Sequence, residues 1–489
     1  EKFEKFVNKY IDWLLAHDEE DMNLLTYING LEPSKRKEYM EGYAEYLDGD
    51  YNLKVKMHNK IDEKLFMEYK KFKVKSRNVS ASHKSVKLGM GWITESIAKI
   101  QKKYDQGFGS GINAEQRARK FEEWVRQIPD HKVLCVDGSA FDSTQHKEIL
   151  EIVDVQLFNR FIDKHPEISE HFNIDDLRNI CSQTKFDINS EYFSYTVEGT
   201  QMTGRMNTSQ GNTTRSLLYL RFIWEELGYD WRDMLVEAAG DDTISIMPAD
   251  IIDDYIKKAR ELVYVAADVE MPSNKDYTNE RAQLDFQQIH GLGQIAKQFD
   301  VFNSINGAEY LSMIIIMNQN GDIKMFRKIT RFLELLPYTL SNTVTTLAKF
   351  HQQNKDLLVA DAQNILASCY DIKFFRAYAD AIFRLCGKTT SADIRMKAWN
   401  DRTDTRTINI EEEFENYLFE KFGITALELD EYYATLETIE QYEKVAISLI
   451  DKLHDNPTYE EYSKVHGKVW ENAYTTNCRT DKYIHETID

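Results

Sequence analysis

Two short acidic runs are the residues best suited to chemistry. Asp137-Gly138-Ser139-Ala140-Phe141-Asp142 closes the apolar run 132–136 with one carboxylate and adds a second at Asp142. Gly240-Asp241-Asp242 lies between the apolar runs 234–239 and 243–246. Taken singly, each reads as a strand end or a hairpin turn. Together they are apolar strands that each deliver a carboxylate at an end, which is how a chain presents hard oxygen ligands to Mg²⁺. Two such ions about 3.5–4 Å apart would activate an attacking hydroxyl and neutralise a leaving pyrophosphate in an in-line displacement. Between the two runs stands Gly199-Thr200-Gln201-Met202-Thr203-Gly204-Arg205-Met206-Asn207-Thr208-Ser209-Gln210-Gly211-Asn212, polar and punctuated by glycine. On its own it is a helix entry with Ser, Thr and Asn as caps.

The elements that must hold these residues are readable in outline. Residues 132–137 read as a buried strand, 234–246 as strand–turn–strand and 216–227 as a Leu- and aromatic-rich helix. Asn113 is a plausible cap for a helix over 113–127, and 107–111 (Gly-Phe-Gly-Ser-Gly) reads as a flexible hinge. Apolar periodicity at Phe3, Phe6, Val7, Tyr10, Ile11, Leu14 and Leu15 predicts helix near the start, and the pattern beyond about residue 300 is largely helical. The expected class is α+β, mostly helical. Gly387-Lys388-Thr389 is like the end of a phosphate-binding loop, but Ile382 stands where its first glycine belongs. His146, His290 and His351 share no metal-ligand spacing and read as structural.

Composition bounds the rest. The chain has 489 residues, a net charge of -20 and 12% aromatic residues, with only seven prolines, which argues for several packed units rather than disorder. The five scattered cysteines suggest neither a disulfide framework nor a zinc site and fit a reducing compartment. No apolar run reaches the roughly 18 residues that cross a bilayer. The chain opens Glu1-Lys2-Phe3 without methionine, so a fragment of a longer protein is expected. An acidic balance is unusual for a protein that binds phosphate, yet residues 68–103 hold ten Lys or Arg against two Glu. Lys75-Ser76-Arg77 and the Ser-, His- and Gly-rich stretch after it read as extended chain and loop, and as one wall of a positive channel.

The three segments, in this order, resemble motifs A, B and C in the palm of positive-strand RNA virus RNA-dependent RNA polymerases. The likeness extends to the tombusvirus-like group. Gly111-Ile112-Asn113-Ala114-Glu115-Gln116-Arg117 looks like its GxNAxxR helix, and Phe141, Asp142 and His146 match its FDxxxH motif A. Thr203 to Asn212 is similar to SGDxNTxxGN, Leu284-Asp285-Phe286-Gln287-Gln288 to the EFCQ-type motif E, and Lys75 with Arg77 to KxRxIxPR. Three departures stand out: Thr203 replaces Ser, Arg205 stands where Asp is usual, and Ala81-Ser82 replaces the trailing Pro-Arg. The resemblance covers roughly residues 70–335.

The resemblance implies a right-hand polymerase with an antiparallel palm sheet. Its expected divisions are fingers and an N-terminal extension (1–130), palm (131–150), a fingers insertion (151–195), palm (196–295), thumb (296–400) and a C-terminal helical extension (401–489). Asp137, Asp241 and Asp242 would hold two Mg²⁺ ions, with Mn²⁺ as a substitute. Asp142 and Asn212 would meet the ribose 2′-OH with support from Thr208, while Thr203 and Gly204 form a loop near template and nucleotide. Lys75 and Arg77 would grip the triphosphate. Lys275 would be the general acid for pyrophosphate, on chain order alone. Lys73, Lys84, Lys87 and Arg327 would touch RNA. The implied partners are RNA template, nascent strand, ribonucleoside triphosphates and other viral replication proteins. The implied setting is the host cytoplasm, on membranes reached through a partner or an absent segment. The competing readings are a reverse transcriptase and an inactive RNA-binding scaffold; Asp142 with Asn212 favours ribose, and the intact aspartates favour activity.

Overall fold

The computed structural model describes residues 1–59, 65–68, 71–74, 78–138, 141–189, 194–265, 291–329, 347–387 and 404–438. In chain order, α1 (Lys2–Ala16), α2 (Leu24–Gly30) and α3 (Pro33–Leu47) precede β1 (Val55–Asn59), β2 (Leu65–Glu68), β3 (Lys71–Val74) and β4 (Asn78–Ser82). Then come α4 (Lys84–Tyr104), α5 (Ala114–Gln127), β5 (His131–Gly138), α6 (Lys147–Leu150), α7 (Gln156–Lys164) and α8 (Ile174–Cys181). They are followed by β6 (Lys185–Asn189), β7 (Ser194–Glu198), α9 (Thr208–Glu226), β8 (Leu235–Ala239), β9 (Asp242–Pro248), α10 (Ile252–Leu262), β10 (Tyr264–Val265) and β11 (Gln294–Phe302). Last are β12 (Glu309–Tyr310), β13 (Met313–Met317), β14 (Ile323–Arg327) and helices α11 (Leu347–Cys369), α12 (Lys373–Cys386), α13 (Glu411–Phe422) and α14 (Ala426–Thr438). Helix outweighs strand among the described residues, and most strand pairs are antiparallel, in keeping with the α+β expectation. The chain divides into two compact units, one of 1–66, 73–111 and 130–301, the other of 67–72, 112–129 and 302–489.

The first unit holds both acidic runs. Its five-stranded sheet has the order β10-β11-β5-β9-β8, and a four-stranded sheet runs β4-β1-β6-β7. β9 is buried at five consecutive positions from Thr243 to Met247, as a strand covered on both faces must be. Helix α9 is buried without interruption from Gln210 to Trp224, so apolar Leu217, Leu218, Leu220 and Ile223 share it with polar side chains that must find partners inside the protein. Aromatic side chains from α1 close one end of this core: Phe3 and Phe6 pack on Phe222, and Tyr10 on Trp231.

Two local expectations are corrected and a third is refined. The Ser-, His- and Gly-rich stretch after Arg77, read as extended chain and loop, is extended over β4 but from Lys84 forms α4, because Val86, Met90, Trp92, Ile93, Ile97 and Ile100 bury one continuous apolar face that outweighs weak local propensity. The supposed hinge at 107–111 is a packed edge. Phe108 is buried and bridges to Ala238, Gly109 N–H donates to Ala238 O at 2.8 Å, and Ala238 N–H donates to Gly107 O at 2.9 Å. A Cβ on Gly109 would stand 2.5 Å from Glu237 Oε1, so glycine is there for close approach, not for flexibility. Beyond residue 300 helix outweighs strand among the described residues, as expected, but the helices follow a three-stranded sheet, β12-β13-β14, that periodicity did not reveal. A short apolar run such as 313–317 cannot be told from buried helix by periodicity.

In the second unit, α5 starts with the capping box Asn113/Gln116, so the expected cap is present. Glu122 on α5 accepts from the Ile323 N–H at 2.9 Å and from Arg406 at 2.8 Å, which ties the helix to β14. Phe326, Phe374, Phe375 and Phe414 form the centre of this unit's core.

Candidate active site

The hairpin β8–β9 turns through Gly240 and Asp241, with Ala239 opposite Asp242. A two-residue hairpin favours positive φ at its first central position, and Gly240 has φ +74°. Both backbone groups of this glycine are gripped by α9. Thr213 Oγ accepts from Gly240 N–H at 2.8 Å, and Ser216 Oγ donates to Gly240 O at 2.8 Å. These two residues, three apart, lie on one face of the helix. Asp241 and Asp242 are half-buried. Across β5–β9, Asp137 is the register partner of Asp242, so backbone pairing brings the two acidic runs to one rung. The Asp137 side chain lies outside the described residues. Among the described residues no group of three or more His, Cys, Asp or Glu is assembled for a metal. The donors at this rung are carboxylates, the class that Mg²⁺ prefers, so the residues fit that ion.

Asp142 sits in a short 3₁₀ turn, Phe141–Thr144. The turn is fixed from below: Gln145 Nε2 donates to Gln294 Oε1 at 2.8 Å, and Tyr219 OH donates to Gln145 Oε1 at 2.9 Å. The Asp142 carboxylate takes one donor on each oxygen, Asn212 Nδ2 at 2.7 Å on Oδ1 and the Thr203 hydroxyl on Oδ2. Sequence reading brought Asp142, Thr203 and Asn212 to one site, and the structure joins them directly. Thr203 also faces the other way, its carbonyl accepting from Ser80 N–H on β4 at 2.5 Å. Thr208 Oγ donates within its own loop, lying 2.9 Å from both Met202 O and Arg205 O, so it braces the loop. Thr200 enters this loop at φ +132°, a strained conformation that costs a β-branched residue about 1–3 kcal/mol.

Residues that sequence reading missed hold the pair in place. Arg215 is fully buried on α9; its Nη1 donates to Asp154, and its Nη2 donates to Asn212 Oδ1 and, at 3.2 Å, to Gln201 Oε1. Asn207 Nδ2 donates to the other Asp154 oxygen at 3.3 Å. Asp154 lies in a single π-helical turn, Glu151–Val155, that runs unbroken from α6 into α7. The one signal in the sequence was an arginine inside a Leu-rich helix, one turn after Asn212. Arg205, the departure from the usual motif, is also buried. It donates to Ile180 O at 2.5 Å and Gln183 O at 2.8 Å, over the Phe186 ring. It thus satisfies carbonyls at the end of α8, and burial lowers its pKa to about 10.

The remaining candidates are scattered. Lys75, Arg77, Lys275 and 284–288 lie outside the described residues, and of Lys73 only the backbone, in β3, is described. Lys84 and Lys87 on α4 pair with Glu45 and Glu38 on α3, each at 2.7 Å. Arg327 ends β14 opposite Met313, on a strand and not on a helix. His146 caps α6 through its backbone.

Residues 83–272 match the family model described as viral RNA dependent RNA polymerase. The matched stretch takes in Asp137, Asp142, Thr203 to Asn212, Asp241 and Asp242, and covers less than half of the chain. No curated protein matches the sequence. The family match supports viral RNA-dependent RNA polymerase activity for the segment that holds the site.

Proposed function

We propose that the chain is the catalytic subunit of a positive-strand RNA virus replicase, similar to the tombusvirus-like group, with fingers, palm and thumb arranged as a right hand. The observation that carries this reading is the joining of three separate segments at one site. Asp137 pairs in register with Asp242, α9 grips the Gly240 turn, and Asn212 and Thr203 meet at Asp142. Asp137, Asp241 and Asp242 would hold Mg²⁺, or Mn²⁺ in its place, which when bound acidifies the 3′-hydroxyl and neutralises pyrophosphate. The 3′-oxygen then bonds to the α-phosphorus as the bond to the bridging oxygen breaks, and pyrophosphate leaves. Asp142 and Asn212 meet the ribose 2′-OH, which sets RNA apart from DNA precursors. Lys75 and Arg77 hold the triphosphate, and Lys275 gives the departing pyrophosphate its proton. Lys73, Lys84, Lys87 and Arg327 contact RNA through its backbone, which carries no base readout. Work on host membranes in the cytoplasm would be supported by other viral proteins or a further segment. Among the described residues no helix is long and apolar enough to cross a membrane.

Extension of a primer on an RNA template with Mg²⁺, run with ribonucleotides and with deoxyribonucleotides, tests the reading. Template-dependent extension with ribonucleotides is expected. Exclusive use of deoxyribonucleotides would make the chain a reverse transcriptase, and no extension with either would leave an inactive RNA-binding scaffold.

A further inference from the structure

The geometry points to Arg215 as a positioning residue that decides which atoms the Asp142–Asn212 pair offers to a nucleotide sugar, an inference that rests on the ribonucleotide reading above. An asparagine amide is close to symmetric in shape but opposite in chemistry at its two ends, donor at Nδ2 and acceptor at Oδ1. Nothing in the shape of Asn212 fixes which end faces Asp142. The buried Arg215 guanidinium does so. Its Nη2 occupies Asn212 Oδ1 and leaves Nδ2 to donate to Asp142 Oδ1 at 2.7 Å. Were the amide reversed, its oxygen would face a carboxylate oxygen and its NH₂ a guanidinium, two repulsive pairings in place of two attractive ones.

Arg215 is itself held from behind. Asp154 accepts from Nη1, and Gln201 Oε1 accepts from Nη2 at 3.2 Å. Asp154 lies in the π-helical turn Glu151–Val155, the kind of helix irregularity often found at functional sites. Burying this ion pair is expensive, and an apolar pair of similar volume often serves stability as well. What an apolar pair would not supply is a donor aimed at Asn212 Oδ1. With the amide fixed, the site has a defined polarity: Asp142 only accepts, and Asn212 only donates toward the sugar. A 2′-hydroxyl answers both by donating to Asp142 and accepting from Asn212. A 2′-hydrogen answers neither.

The test compares the parent chain, Arg215→Met and Arg215→Met combined with Asp154→Asn. Each is measured for melting temperature, for equilibrium binding of ATP and 2′-deoxy-ATP with Mg²⁺, and for primer extension with the same nucleotides. The single variant leaves Asp154 buried and charged, so it should melt lower, and its preference for ATP should fall about 10-fold or more, as expected when a polar readout is lost. The double variant removes that charge, while the amide oxygen introduced at position 154 can still accept from Asn207. It should regain most of the melting temperature and none of the preference. Recovery of both in the double variant, or a preference unchanged in the single one, would overturn the assignment by making the pair purely structural. A parent that prefers ATP in binding but extends no primer sinks the polymerase reading and leaves Arg215 in its role. A parent that extends primers with no preference for ribose does the reverse.

Discussion

At the scale of single residues, the chain uses buried polar pairs to fix geometry, and one of them holds a histidine above its ordinary pKa. Protonated His165 donates from both ring nitrogens, Nε2 to an Asp18 carboxylate oxygen and Nδ1 to a Glu167 carboxylate oxygen, each at 2.8 Å. Burial pushes its pKa down, but the hydrogen bonds and charges of Asp18 and Glu167 outweigh that and raise it above the ordinary value. Burial pushes Asp18 up, and its hydrogen bonds to His165 and the Glu20 N–H reverse this and lower it. The signs set the window. A raised histidine contributes stability that is complete below its unfolded value, about 6.5, and is lost as pH climbs through the folded value. A lowered carboxylate contributes above its unfolded value, about 4, and loses that contribution as pH falls. His165→Gln should therefore cost about 1–3 kcal/mol between about pH 5 and pH 6.5 and less as pH rises toward 9. Melting curves of parent and variant across that range check this; a gap that widens with rising pH would contradict it. Glu167 follows His165 by two residues, but Asp18 reaches them only when the chain just after α1 meets the end of α7, so the buried pair was not legible in the sequence.

At the scale of elements, the parts with strong local pattern were legible. The hairpin around Gly240, strand 132–137, the Asn113 cap and the helix over 216–227 all follow from periodicity and turn chemistry and are present, although that helix starts earlier, at Thr208, and takes in Asn212. The errors came where glycine and serine carry two opposed meanings. At Gly107 and Gly109 small size serves packing against β8, and in α4 the buried face overrides poor propensity. Of the site, the sequence showed which residues meet at Asp142 but not Arg215, Asp154, Thr213 or Ser216, whose roles depend on how α9 lies against its neighbours. The hold of α9 on the Gly240 turn yields a prediction at this scale. Thr213→Val keeps the shape and removes the acceptor for the Gly240 N–H. It should lower stability by about 1 kcal/mol by leaving a partly buried donor without its acceptor, and slow extension about 10-fold or more by loosening the turn that carries Asp241 and Asp242. Thermal melting together with single-turnover extension checks it, and an unchanged rate would mean that the grip does not matter for the chemistry.

At the scale of the whole molecule, an acidic chain must still attract a polyanion. Ten cations in residues 68–103 supply a local counterweight to the net charge of -20, though α3 carboxylates engage two of them. Pairs such as Lys84–Glu45 and Lys87–Glu38 are partly exposed and contribute at most about 1 kcal/mol each, so phosphate can compete for these lysines. Lys84→Ala with Lys87→Ala should weaken single-stranded RNA binding alike for all sequences and flatten the dependence of log K on log salt by about 0.7 for each phosphate no longer neutralised. A slope equal to that of the parent would remove both residues from the RNA path. The central claim, that the acidic rung at Gly240 transfers nucleotides, is tested most directly by Asp241→Asn. On an RNA template with Mg²⁺ and ribonucleotides, the variant should melt with the parent and lose extension by about 10³-fold or more, since a metal ligand is lost and little packing is. Extension at the parent's rate by a folded Asp241→Asn chain would contradict the account and mean that the chemistry takes place elsewhere.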